Sequence, residues 1–421
     1  MSILSVMIVD FSFSNFGPFR DRSTLSMHAT AINELEENVI DVDQVKGGLL
    51  SSAIIYGANA SGKSYVVRAL SALKSMVSDV YESGYRYPWY EPFRLMRHSL
   101  ESPVTLRLRM VLGDVLYDYS VSYNADSVVG EELYQYPKGR PACVFRRTSP
   151  KEYEKSKKSL VRMTSESSTY LTVASKFGDE VCNLVRRFIL EGIIMIQSDL
   201  NDLIPGSHRF MTNDPMLKNY AISGLRIADF GISDYFVKEN DGDPSKSQRA
   251  ISSELFEKMS SMKDRSKNLD IFLRHDFTIF DVETDELFFP MAIESSGTAC
   301  MFGLMGPLVD ALMRGAVIVI DEFGSHLHPL ITQWVVNQFS EGYNPHHAQL
   351  IANTHDVGLI DNDRLRRDQI WFTDKDREDG SSELYCLSDF KGIRKGSDLM
   401  KSYLFGRFDA VPNVVNTGVL R

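Results

Sequence analysis

Cysteine is scarce in this chain. Cys143, Cys182, Cys300 and Cys386 are scattered through 421 residues and form no C-x-x-C pair. That spacing fits neither a zinc site nor a disulfide framework and points to a reducing compartment. Long apolar runs are missing as well. Stretches such as 316–320 and 193–196 fall far short of the roughly 20 residues that span a bilayer. Positive charge is not in excess either: the net charge of −10 argues against a protein that coats nucleic acid with its whole surface, and leaves room for a local basic groove. The opening MSILSVMIVDF has no basic n-region or cleavage site, so no signal peptide is expected. Sustained heptads, repeats and low-complexity tracts are not visible. These gaps predict a soluble, cytoplasmic chain without a membrane partner. Its length predicts two lobes, since single cores stop growing near about 250–300 residues.

One stretch stands out against this plain background. Residues 57–64 read GANASGKS, a full match to G-x-x-x-x-G-K-[ST], the phosphate-binding loop. Gly57 and Gly62 let the backbone come close to a phosphate. Ala58, Asn59, Ala60 and Ser61 form the turn whose N–H groups face inward as an anion nest. Lys63 would reach the β- and γ-phosphates, and Ser64 would offer a hydroxyl to Mg2+. Tyr65 follows and is counted with the cradle. The context agrees. The apolar run 53–56 precedes the loop as a buried strand, and Val66, Val67, Leu70, Leu73 and Val77 follow as a helical stripe. A helix N-terminus there adds its own partial positive charge.

Residues 3–30 read as extended, and Asn15 and Gly17-Pro18 mark a turn among Phe11, Phe13, Phe16 and Phe19. This predicts a sheet-edge hairpin beside the nucleotide strand, with the rings serving core packing or base stacking. From 104 to 147 apolar residues alternate with polar ones, the pattern of an antiparallel meander with one wet face. The lysine-rich 148–165 is interleaved with glutamate and fits a solvated loop better than a phosphate contact. The pattern is helical from about 177 to 265, with a loop at 238–246. Strand-like alternation returns in 271–280 and 287–293.

A second group of motifs follows. The apolar run 316–320 ends in Asp321-Glu322, a buried strand delivering two carboxylates at its C-terminal tip, where ligands bind in α/β sheets. Asp321 would hold Mg2+. Glu322 would orient and polarise the attacking water. Upstream, Ser295, Ser296 and Gly297 open a helix over 299–313, either as a second anion-binding element or as a simple N-cap. Downstream, 350–353 is another short strand, and His355 beyond its tip would hydrogen-bond a γ-phosphate. His328-Pro329 reads as a turn capping the loop after Glu322.

GANASGKS, ESSGT, VIVIDE with GSHLHP, and NTHD occur in that order. Together they resemble the ATPase head of the ABC/SMC/Rad50-like superfamily, and more narrowly the AAA15-type ATPases related to OLD-family and abortive-infection proteins. The resemblance covers roughly 1–135 and 285–421. It implies an α/β fold, an ABC-type head in which a mixed sheet with the P-loop core joins an antiparallel β subdomain, with a helical insertion. The expected spans are 1–147, 148–267 and 268–421. The resemblance further implies that ESSGT acts as the ABC signature on ATP held by another subunit's Lys63. GSHLHP would be the D-loop and His355 the switch histidine. The signature departs from the usual wording, so Ser296 and Gly297 match by position. No glutamine lies between Ser64 and Tyr134, which leaves the Q-loop unassigned near 92–95.

The expected activity is ATP hydrolysis with ATP and Mg2+, by a homo-oligomer that is at least a head-to-head dimer with shared ATP sites. OLD-type nucleases carry a large metal-dependent domain after this point. The acidic residues of the tail, such as Asp374 and Asp376, read instead as a solvated loop. The resemblance therefore implies a switch or scaffold for a separately encoded nuclease or toxin in anti-phage defence. The alternatives are an SMC/Rad50-like repair ATPase with DNA as a partner and, further off, the ATP subunit of a transporter.

Overall fold

Ser52–Gly57 is buried at every position, and its neighbours explain why it reads as one apolar run. It lies between Gln349–Thr354 and Ile370–Lys375, parallel to both. A strand covered on both faces and both edges has no wet side to alternate with. The sheet order is Ile193–Ile196, Val317–Phe323, Gln349–Thr354, Ser52–Gly57, Ile370–Lys375, Ser382–Cys386; only the last strand runs antiparallel. The helix Lys63–Ser78 follows the glycine loop, and its predicted stripe, Val66, Val67, Leu70, Leu73 and Val77, is buried.

This computed structural model describes residues 6–197, 203–212, 215–228, 231–238, 270–276, 287–361, 363–393 and 396–412. They divide into two compact units. One is Met1–Gln197 with Ala311–Ser325 and Thr332–Arg421; the other is Ser198–Asp310 with His326–Ile331. This division differs from sequence boundaries at 147/148 and 267/268. Helices Lys158–Met163, Tyr170–Lys176 and Glu180–Arg187 belong to the first unit. There the lysines of the polar stretch pair locally, Lys151 with Glu166 at 3.1 Å and Lys157 with Asp179 at 3.0 Å.

The first unit also holds a seven-stranded antiparallel sheet, ordered Tyr153–Glu154, Ala142–Arg147, Val128–Tyr136, Val115–Tyr123, Val104–Leu112, Val6–Ser14, Ser23–Ser26. The meander is as expected. Val104, Leu106, Leu108 and Met110 are fully buried. The other face is polar, with Arg109 on Asp10 at 2.9 Å and Thr105 with Ser122 at 2.8 Å. The N-terminal hairpin needs correction. Val6–Ser14 pairs with Val104–Leu112, not with the nucleotide strand. Phe11, Phe13, Phe16 and Phe19 are all buried, with Phe13 edge-on to Phe19 at 5.0 Å, so they pack the core. Gln349 joins the two sheets: its side chain accepts from Ile8 N–H at 2.7 Å and donates to the carbonyls of Ile8 and Leu50.

Two strands interrupt the span expected to be helical. Ile193–Ile196 runs parallel to Val317–Ile320 in the nucleotide sheet. In the second unit, helices Ile204–Thr212 and Pro215–Ala228 are followed by a three-stranded antiparallel sheet of Ile232–Lys238, Asp270–His275 and Leu287–Pro290. Tyr235, Phe236 and Val237 favour a pleated strand over a helix. The expected loop beyond 238, the helical span at 239–265 and the strand residues 277–280 lie outside the described residues. The helix Ser296–Arg314 is, among the described residues, the one long and apolar enough to cross a membrane, yet 67% of its most apolar stretch is buried. Cys300, Met301, Phe302 and Leu304 are core residues there.

Candidate nucleotide site

The glycine loop is held tightly from beneath. A Cβ on Gly57 would fall 2.4 Å from the Thr373 carbonyl and 2.5 Å from Ser61 Oγ, so no larger residue fits. Gly62 sits at φ 112, a conformation that favours glycine, with the Phe19 ring against it. Ser61 Oγ and Thr373 Oγ1 lie 2.6 Å apart in a buried hydrogen bond. Asn59 and Ala60 are exposed at the crest, Ala58 is half-buried, and Ala60 is left-handed at φ 63. The loop ends at Lys63, the first residue of a 16-residue helix, where first-turn N–H groups have no intrahelical acceptor.

Lys63 is only 7% exposed. Its Nζ donates to the carbonyls of Gly57 at 2.7 Å and Ala58 at 2.9 Å. Burial pulls its pKa down to about 8, while Glu322 and Asp321 pull it up. Ser64 is the next helical residue and is half-buried. Tyr65 is engaged in packing. Its ring lies on Gly17, edge-on to Phe16 at 6.2 Å, with the Arg68 guanidinium 4.6 Å above it.

The carboxylates stand on a β-bulge. Ile320 pairs with Ala352 and Phe323 with Thr354, so Asp321 and Glu322 together face Asn353 alone. Such a bulge bends a strand and re-aims its side chains. Glu322 is left-handed at φ 55, a conformation costing a non-glycine residue about 1–2 kcal/mol, and its side chain is exposed while Asp321 is half-buried. Asn353, 1% exposed, closes the bulge: Oδ1 accepts from Glu322 N–H at 2.8 Å and Nδ2 donates to Asp321 Oδ1.

His355 follows the tip of Gln349–Thr354. Lost solvation first, then the Lys63 charge, hold its pKa below the ordinary value, against a pull from Glu322. The balance favours the neutral imidazole. Behind it Asp356 caps Gly358 N–H at 2.9 Å and accepts from Thr332. The structure thus gathers Lys63, Asp321, Glu322 and His355 at one end of the nucleotide sheet. A lysine nest with backbone N–H groups suits phosphate oxygens. A hydroxyl and a carboxylate are the hard oxygen ligands that Mg2+ takes.

Ser295, Ser296 and Gly297 belong to the second unit. The helix begins at Ser296, earlier than the sequence suggested. Ser295 Oγ accepts from Thr298 N–H at 3.0 Å and meets Thr298 Oγ1 at 2.8 Å, the geometry of an N-cap. Ser296 is exposed, and Gly297 lies against the His326 carbonyl. In the same unit His328 Nδ1 accepts from Leu330 N–H at 3.2 Å as the N-cap of helix Pro329–Asn337, so the turn expected at His328-Pro329 is instead the start of a helix.

Sequence reasoning gave no role to Asn353 or Thr373. The signal available was polarity: each is a polar side chain within a strand of buried residues, where an unpaired polar group is costly.

Among solved structures, the chain is similar to an SMC head bound to the C-terminal winged-helix domain of ScpA, at 12% identity and TM-score 0.45, over 90% of this chain and 97% of that one. It is also similar to the SMC head domain from Thermotoga maritima, at 11% identity and TM-score 0.41, over 90% and 98% of the two chains. A third likeness is to a Pyrococcus furiosus Smc head with an extended coiled coil bound to the C-terminal domain of ScpA, at 12% identity and TM-score 0.39, over 96% and 100%. No curated protein matches the chain. Residues 52–361 match the family described as "AAA domain, putative AbiEii toxin, Type IV TA system". That span runs from the glycine-loop strand past His355 and includes every motif above, so the chain belongs to this AAA-domain family of ATPases.

Proposed function

We propose that the chain is an ATP-hydrolysing switch that holds or releases a separately encoded effector, a nuclease or toxin, in cytoplasmic anti-phage defence. The observation that carries the reading is the convergence of Lys63, Asp321, Glu322 and His355 at one end of a single sheet. Lys63 would neutralise the β- and γ-phosphates beside the N–H groups of residues 57–65. Ser64 and Asp321 would hold Mg2+, which draws charge from the phosphates when bound. Glu322 would orient the attacking water, and the neutral His355 would donate a hydrogen bond to the γ-phosphate. Ser295, Ser296 and Gly297 of a second copy would close the site, so that ATP joins two heads. The family's description as a toxin of a toxin–antitoxin system supports the defence setting.

The test is direct. The purified chain should hydrolyse ATP with Mg2+, lose this in Lys63→Ala, and leave DNA uncut. Metal-dependent DNA cleavage surviving Lys63→Ala would overturn the switch reading. Light scattering should show a mass increase with ATP and Mg2+; one fixed mass would remove the assembly step. Tight, salt-sensitive DNA binding that requires ATP would favour a repair clamp instead.

A further inference from the structure

The bulge at Asp321-Glu322 is closed by one side chain, and the geometry points to Asn353 as the positioning residue that sets both carboxylates. This rests on the ATPase reading above. Two residues of Val317–Phe323 face one residue of Gln349–Thr354 at this point, so the ladder itself cannot satisfy the bulged backbone. Asn353 makes good the deficit. Its Oδ1 accepts from Glu322 N–H at 2.8 Å, and its Nδ2 donates to Asp321 Oδ1. Asn353 itself is 1% exposed, so its amide is reserved for these two contacts.

The residue type matters because the two contacts have opposite polarity. Asparagine offers an acceptor and a donor on one short stem. Aspartate keeps the acceptor and loses the donor; leucine has the size and neither. The backbone of Asn353 is in turn paired with Ile55 of the glycine-loop strand. The carboxylates are therefore registered against the strand that leads into Lys63. Asp321 has one oxygen committed to the amide and the other available for a cation. Glu322 is fixed through its own N–H in the left-handed conformation that carries its side chain outward. Asn353 would touch neither nucleotide nor metal; it acts through its neighbours.

The full-length chain tests this with Asn353→Leu and Asn353→Asp. Hydrogen exchange without nucleotide, read on a peptide covering 317–325, should lose protection of one amide in Asn353→Leu and keep it in Asn353→Asp. Turnover should fall about 10–100-fold in both, the range for outer-shell partners of metal ligands, with KM for ATP nearly unchanged. In Asn353→Leu, half-saturating Mg2+ for binding of a fluorescent ATP analogue should rise several-fold. A folded Asn353→Leu with wild-type exchange and wild-type Mg2+ dependence overturns the inference. Should Asn353→Leu not fold, Asn353→Asp decides alone: protected amide with lost turnover supports the role, and unchanged turnover overturns it. A wild-type chain without ATP turnover would remove the functional reading, and the exchange experiment would then still decide on Asn353.

Discussion

Lys63 and Arg366 are both cations withdrawn from water, at 7% and 2% exposure, and they are held in opposite ways. Arg366 is saturated. It grips Asp368 with two parallel bonds of 2.9 and 2.8 Å and donates to the carbonyls of Thr30, Ile32 and Glu34. Asp368 accepts in addition from Thr30 N–H and Oγ1. Every charge there has its counter-charge inside the fold. Lys63 meets neutral carbonyls of its own loop and keeps only part of its ordinary proton affinity. A charge that fastens a loop is neutralised in place. Lys63 has no such ion pair, which suits the phosphate-binding role proposed for it.

Four experiments would break or sharpen that contrast. The largest effect is expected for Arg366→Ala, which strands Asp368 in the interior; breaking a buried pair costs about 3–5 kcal/mol. Urea unfolding should register this loss while nucleotide affinity of the folded fraction stays near wild type, and a stability change under 1 kcal/mol would show that the pair is idle. Next is Glu322→Gln. ATP binding should survive while hydrolysis slows at least ~100-fold, since a positioned base contributes about 10²–10⁴; unchanged turnover means that the carboxylate is misassigned.

The third effect is on pH dependence. Lys63 is protonated below pH 8 and neutral above it, because burial lowers its pKa to about 8. On the proposed reading nucleotide binds the protonated form, so affinity should hold from pH 6.5 to 7.5 and then fall by up to ~10-fold per unit from pH 8 upward. Titrations with a fluorescent ATP analogue that stay flat to pH 9.5 would refute it. The smallest effect should come from Thr373→Val, which keeps the shape and removes the hydroxyl that meets Ser61 Oγ. A lost hydrogen bond of this kind costs about 1 kcal/mol, so affinity should drop a few-fold with turnover at saturation unaffected.

How legible each part was follows from the range of its causes. The glycine loop, its strand and its helix are local: an apolar run, two glycines and a 3.6-residue stripe specify them without distant help. The antiparallel meander was equally plain, because alternation is written residue by residue. The sheet to which Val6–Ser14 belongs was not, since pairing with Val104–Leu112 is decided by partners far along the chain. Ile193–Ile196 is four apolar residues between helical stripes, a length at which periodicity cannot separate strand from helix. The candidate site divides in the same way. Lys63, Asp321 and Glu322 announce themselves in motifs; Asn353 stands inside NTHD, but its part shows only when the fold sets it opposite the bulge, and Thr373 lies in no motif at all.

The parallel pairing of Ser52–Gly57 also has a consequence for synthesis. Its partners are Gln349–Thr354 and Ile370–Lys375, so a nascent chain carries the glycine-loop strand with both edges bare until those distant segments have been made. At about 5–20 residues per second this wait lasts roughly 15–60 s. Neither the Thr373 support under the loop nor the Asp321-Glu322 tip exists before then. Until those partners exist, an apolar strand with two open edges is a segment of the nascent chain open to mispairing.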